Sequence, residues 1–276
     1  MPPVAPVSVT VMSPTETDEL LYDVTEGVAT ITLNRPERLN AISGPMLNAL
    51  SARMIEADGD PGVRVLVITG AGRGFCAGLD LAAQASGDGL HLGGRSSELD
   101  LRTAPPTVLH AIDVPTICML NGPAAGYGMD LALGCDVRVA GESAKLAAAF
   151  TKRGILPESG GTWLLPRLVG YAKAAEITFT GATLSAKECL DLGLVNRLVP
   201  DAALADEVAR LASEIAANAP LAVRATKRML RAGADEAFDD HVQRVFLQLL
   251  PLFRTKDFGE GVASFLEKRP ARFEGR

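Results

Sequence analysis

Three apolar runs, "VRVLVITG", "VPTICMLNG" and "CDVRVAG", follow one another in this 276-residue chain, and helix-like segments precede the first and the third. "SGPMLNALSARMIEADGD" precedes the first run, with Ser43 placed as an N-cap and Met46, Leu47, Leu50 and Met54 at helical spacing. "GMDLALG" precedes the third. Strand and helix signals in this alternation predict parallel crossover units, and hence an α/β layered core. Ahead of them, "LLYDVTEGVATITLNRP" alternates apolar and polar residues around Glu26-Gly27, the mark of a hairpin. From Gly170 onward the signals become helical ("YAKAAEITFTG", "SAKECLDLG"), then come a short "LVNRLVP" and three or four more helices. A layered core followed by a helical cap is the predicted order. Within that cap, Arg224, Lys227, Arg228 and Arg231 share one helix face, read as a solvated basic face.

Composition narrows the function classes. The net charge of −6 argues against nucleic-acid binding, which draws most of its affinity from phosphate neutralisation. No apolar run approaches the roughly 18 residues of a membrane span. The first 19 residues lack the charged start and apolar centre of a signal peptide and read as a loose tail. Cys76, Cys118, Cys135 and Cys189 form no C-x-x-C and have no histidine beside them, so neither zinc nor a redox pair is indicated. Cys118 and Cys135 lie in apolar runs and read as buried, reduced packing residues, which fits a reducing cytoplasm. His91, His110 and His241 lie far apart without ligand spacing and read as surface or satisfied histidines.

The stretch "GRGFCAGLDL" follows the first apolar run and invites a phosphate-loop reading. The spacing rejects it: Gly70, Gly72 and Gly74 supply glycines, but Phe75 stands at the sixth position of G-x-G-x-x-G. Neither a Walker-type loop nor a G-x-S-x-G elbow occurs elsewhere in the chain. The polar, glycine-rich "LAAQASGDGLHLGGRSSELD" that follows reads as a loop beside a site, a candidate lid.

In order along the chain, "RPERLNAIS", "GFCAGLDL", "NGPAAGYGMDLALGCDVRVA", "RGILPESGGTWLLPRLVG" and "FLEKRPARF" resemble the enoyl-CoA hydratase/isomerase (crotonase) superfamily over about residues 20 to 274. The resemblance implies a crotonase-like spiral of ββα units. It places the core at residues 20–200 and a helical trimerisation region at 201–276. It also implies an acyl-CoA thioester as substrate, with CoA as part of that substrate and no separate cofactor, and assembly as a homotrimer or a dimer of trimers.

The resemblance also assigns roles. Members hold a thioester carbonyl between two backbone N–H groups and stabilise the enolate that forms there. Carried onto this chain, the donors are the N–H groups of Leu79, just after Gly78, and of Tyr127, just after Gly126. Their side chains then need no chemistry, Cys76 is a packing residue, and Asp80 is an anchor of the turn. Hydratases of the superfamily use two glutamates; here the first position is Asp130 and the second is Phe150, which transfers no proton. Glu158 falls where some isomerases carry a single acid/base, and one carboxylate suffices to move a proton from C2 to C4. Asp130 is open between a second acid and a residue that tunes the pocket. Isomerisation of a 3-enoyl to a 2-enoyl thioester is therefore the preferred reading. Hydration of a 2-enoyl-CoA is the alternative, and a catalytically silent CoA-binding protein is a third. For CoA itself the resemblance points to Arg38 and Ala41, and to Phe265 and Lys268. Arg38 and Lys268 are open between phosphate partners and ordinary surface cations.

Overall fold

The expected hairpin forms, in a computed structural model that describes residues 17–80 and 104–276. Strand β1 (Leu20–Thr25) pairs antiparallel with β2 (Val28–Leu33), Leu20 facing Leu33 and Thr25 facing Val28. Glu26 and Gly27 between them both have positive φ, 51° and 80°, as a two-residue turn matched to strand twist requires. Beyond β2 every neighbour in the sheet runs parallel: β3 (Val65–Gly70), β4 (Thr116–Leu120), β6 (Val137–Gly141) and β9 (Arg197–Val199), in the order β1-β2-β3-β4-β6-β9. Three short strands, β5 (Pro123–Ala125), β7 (Lys145–Ala147) and β8 (Thr183–Ser185), make a second sheet.

Strand β3 is buried along its whole length, and its alternate residues serve different cores. Leu66 and Ile68 join the larger core with α1 (Gly44–Gly59), α2 (Pro105–Ala111) and α3 (Tyr127–Gly134). Val65 and Val67 face the other way, onto Leu204, Val208, Leu211 and Ala212 of a later helix, α7 (Leu204–Ala216). The Ser43 hydroxyl accepts from Met46 N at 3.2 Å and starts α1, whose Met46, Leu50 and Met54 are fully buried, as their spacing predicts. Helices α4 (Gly161–Val169), α5 (Tyr171–Thr180) and α6 (Ala186–Asp191) complete the core. The helical region predicted from residue 201 thus begins by covering the sheet with α7. The helices that follow are α8 (Pro220–Ala232), α9 (Phe238–Leu252) and α10 (Lys256–Glu267). At the other end, Glu19 already belongs to the fold, paired with Arg35 and bonded to Ser43.

One expectation is overturned. The basic face of α8 is an internal seam that joins the helix to the core. Lys227 is buried, its ammonium 2.6 Å from both Val114 O and Asp136 Oδ2. Arg224 reaches Asp58 at 3.0 Å, Arg228 reaches Asp113 at 2.5 Å, and Arg231 donates to Ile112 O at 2.8 Å. Lys227 is the buried one of the four, and stranding a buried charge costs on the order of 3–5 kcal/mol, so its contacts above all fix where α8 docks. Helical spacing alone could not disclose this, because the partners lie as much as 115 and 166 residues away. All four cysteines are buried and free, as expected of Cys76, Cys118 and Cys135.

Candidate active site

The loop after β3 is held by two asparagine side chains. The Asn40 amide donates to Ala71 O at 2.9 Å and Gly74 O at 2.8 Å, and its oxygen accepts from Arg35 N. Asn121 accepts from Gly70 N at 3.2 Å and donates to Gly72 O at 3.0 Å. So clamped, the chain runs past Cys76, whose carbonyl accepts from Ala125 N, and pairs with Ile42. The Ile42 pairing uses only Gly78 O, which accepts from Ile42 N at 2.8 Å, and Asp80 N, which donates to Ile42 O at 3.0 Å. Leu79 lies between them, and its N–H is left outside the ladder.

Gly78 brings the second donor close. Its φ is +97°, and a Cβ there would stand 2.8 Å from Ala125 O and 3.6 Å from Tyr127 N. Only glycine permits both that backbone conformation and that approach. Tyr127 is the first residue of α3, where a helix leaves its N–H groups without intrahelical partners and concentrates partial positive charge. Among the described residues, the N–H groups of Leu79 and Tyr127 donate to no protein acceptor.

Both residues line one pocket with Gly78, Gly126, Phe150 and Glu158. Glu158 is the only carboxylate in that lining among the described residues. It lies on the turn before α4 and is exposed at the pocket edge, while the surrounding wall still desolvates its carboxyl and raises its pKa. Phe150 is 2 % exposed and fills its place with a ring.

Asp130 is separated from this lining. It is one turn along α3 from Tyr127 and 2 % exposed, and its Oδ2 accepts from Gly161 N at 3.1 Å. Its pKa is raised to about 7 by burial above all; the Gly161 N–H opposes the shift and the charge of Glu158 adds to it. The Cys76 thiol is fully buried and pushed up to about 12, which makes it a packing residue and a poor nucleophile. Asp80 is the anchor expected of it, 3.0 Å from Arg35.

The remaining candidates divide. Ala41 adjoins the Ile42–Leu79 bridge, and its carbonyl accepts from Arg35 Nη1 at 2.7 Å. Arg38 is exposed on the turn just before it. Phe265 is 81 % exposed on α10 and, with Phe253 and Phe258, borders a second, apolar groove separate from the pocket. Lys268 is the exposed C-cap of α10, with φ +54°. The predicted lid and His91 lie outside the described residues. Sequence reasoning missed Arg35, which ties Glu19, Ala41 and Asp80 together, and missed both loop-clamping asparagines. The signals available were Asn40 in "RPERLNAIS" and the Asn-Gly that ends β4.

Comparison with known proteins covers almost the whole chain. Residues 23–276 match the model of the family described as enoyl-CoA hydratase/isomerase. The chain is 39 % identical to the 1,2-epoxyphenylacetyl-CoA isomerase of Escherichia coli K12, over 93 % of this chain and 98 % of that one. The crystal structure of an enoyl-CoA hydratase from Mycobacterium tuberculosis H37Rv superposes with a TM-score of 0.85 at 34 % identity, covering 94 % and 99 % of the two chains. That of an enoyl-CoA hydratase from Bacillus anthracis gives 0.85 at 33 %, covering 94 % and 100 %.

Proposed function

The chain belongs to the enoyl-CoA hydratase/isomerase family and has the crotonase fold, and from that premise we propose that it isomerises 3-enoyl-CoA to 2-enoyl-CoA thioesters with Glu158 as the single acid/base. The observation that carries this reading is the pocket lining, which among the described residues brings together one carboxylate and two backbone N–H groups that donate to no protein acceptor. The thioester carbonyl oxygen accepts from Leu79 N–H and Tyr127 N–H. Glu158 takes a proton from C2, and the electron pair moves through C2 onto that oxygen, giving a dienolate. Fixed donors and the start of α3 stabilise the new charge without reorganising. Glu158, now a carboxylic acid, returns the proton to C4, the carbonyl re-forms, and the double bond lies between C2 and C3. No group is gained or lost.

Hydration is the second reading, favoured by one feature: burial first, with Glu158 nearby, raises the pKa of Asp130 to about 7 and makes it a second candidate acid. Its burial behind the lining counts against direct work on water. A panel of 3-enoyl- and 2-enoyl-CoA thioesters, assayed in deuterated water, separates the two. Isomerisation is expected to dominate, with measurable protium retained at C4, because one carboxylate carries the proton out and back. A product that is mainly 3-hydroxyacyl-CoA would overturn the isomerase reading.

The assembly belongs to the same proposal. Val242, Phe246 and Leu250 of α9, Phe253 at its C-cap, and Phe258 and Val262 of α10 are exposed apolar residues, more than a solitary helical layer normally leaves in water. We place this face at the interface of a trimer or a pair of trimers. Light scattering is expected to give three or six times 28.9 kDa, and a 28.9 kDa species at micromolar concentration would refute it.

A further inference from the structure

Arg35, just after β2, has no part in the chemistry above, and its largely buried guanidinium lies beside the loop that carries the Leu79 donor. Its Nη1 donates to Ala41 O at 2.7 Å, Nη2 lies 3.0 Å from Asp80 Oδ2, and Nε lies 3.1 Å from Glu19 Oε1. Glu19 in turn accepts from the hydroxyl of Ser43, the N-cap of α1. Between these anchors, residues 77–80 dock on residues 39–42 through the backbone. Ala77 N donates to Leu39 O at 2.9 Å, Ile42 N donates to Gly78 O, and Asp80 N donates to Ile42 O. The supporting segment is not relaxed in itself: Leu39 and Asn40 both have positive φ, 50° and 57°. For a leucine that conformation is costly and persists only where its surroundings enforce it. The Arg35 fork spans the whole arrangement, with Ala41 next to Ile42 on one side of the pairing and Asp80 next to Leu79 on the other.

We infer that Arg35 is a positioning residue for catalysis: by bridging Ala41 O and the Asp80 carboxylate, its guanidinium fixes the direction of the Leu79 N–H. The inference rests on the reading of that N–H as a donor to the thioester oxygen. Two physical effects act together. A planar fork with fixed angles sets the spacing between Ala41 and Asp80, which a lysine ammonium, as one compact charge, cannot do. The fork also sets a positive charge against the Asp80 carboxylate, which is 9 % exposed and next in sequence to the donor. The less that carboxylate is neutralised, the more it opposes the negative charge that gathers on the thioester oxygen.

Arg35→Lys tests this on the thioester that the wild type turns over fastest, with calorimetry of butyryl-CoA binding alongside. Turnover is expected to fall about tenfold to a hundredfold, because a donor moved by a fraction of an ångström loses much of its value in the transition state. Affinity for the saturated thioester, which develops no such charge, is expected to change by less than about threefold. Combination with Leu79→Pro supplies the readout that a merely structural role would not move. If Arg35 acts through the Leu79 N–H, deleting that N–H leaves Arg35 little to contribute, and the double variant should fall no more than about threefold below Leu79→Pro alone. Asp80→Asn weakens the same pairing by removing the carboxylate charge and is expected to show a smaller loss with the same lack of additivity. It carries the test if thermal melting shows that Arg35→Lys does not fold. Undiminished kcat in both Arg35→Lys and Asp80→Asn, or losses that multiply with that of Leu79→Pro, overturn the proposal. Normal turnover in Leu79→Pro alone would instead remove the donor itself, and with it both readings.

Discussion

Replacing Glu158 with glutamine is expected to lower turnover of a 3-enoyl-CoA by a factor on the order of a hundred to ten thousand, with thioester binding retained. Glutamine keeps the size of the side chain and deletes the titrating group. Among the described residues the pocket offers no substitute: Phe150 cannot move a proton, and Asp130 lies behind the lining. Glu158 must be ionised in the free enzyme to accept the C2 proton. Its pKa is raised by burial, so kcat/KM of the wild type is expected to fall on the acid side with a midpoint above the ordinary 4.5. Asp130→Asn serves as the contrast and is expected to be the milder change. It should also alter stability in a set direction. The unfolded chain gives up the Asp130 proton near 3.8 and the folded protein near 7, so ionisation opposes folding increasingly across that interval. The asparagine variant should therefore gain in Tm relative to wild type as pH rises from about 4 to above 7. Near-wild-type rates in Glu158→Gln, or a dead Asp130→Asn, would shift the acid role to Asp130 and favour hydration.

Local physics made much of this legible beforehand. The Glu26-Gly27 turn, the Ser43 cap and the buried spacing of Met46, Leu50 and Met54 each depend on residues within one turn of each other. The donors at Leu79 and Tyr127 came instead from the resemblance carried by "GFCAGLDL" and "NGPAAGYGMDLALG"; the positive φ of Gly78 and the helix start at Tyr127 are compatible with that assignment. What stayed hidden was set by contacts distant in sequence. Lys227 looked like one of four solvated cations until Asp136 and Val114 closed over it. The same gap concealed Arg35, whose partners are Glu19, just before β1, and Asp80, in the loop after β3, and Asn40, whose amide reaches Gly74 34 residues on. Asp130 shows a subtler gap. Its position on α3 follows from the sequence, but its withdrawal from the pocket depends on Gly161 approaching it from α4.

Leu79→Pro is expected to cost at least about a hundredfold in turnover, equivalent to roughly 2.7 kcal/mol of transition-state stabilisation, whereas Leu79→Ala keeps most of the activity. The reasoning turns on which atoms the local ladder uses. Gly78 O and Asp80 N make both bonds to Ile42, so proline at 79 removes neither and deletes only the N–H proposed as the donor to substrate. The leucine side chain is half-buried at the pocket wall, and shortening it leaves the donor in place. The loss should appear in kcat more than in KM, because the donor's value rises as charge gathers on the thioester oxygen. Proline fixes φ near −65° and also restricts Gly78 before it, so circular dichroism must show a wild-type spectrum for the comparison to count. Under that condition two results would end the account of Leu79 as a backbone donor: a proline variant that turns over normally, or an alanine variant as impaired as the proline one. The second would mean that the leucine side chain, packed beside Phe150 and Glu158 in the same lining, is the part that works.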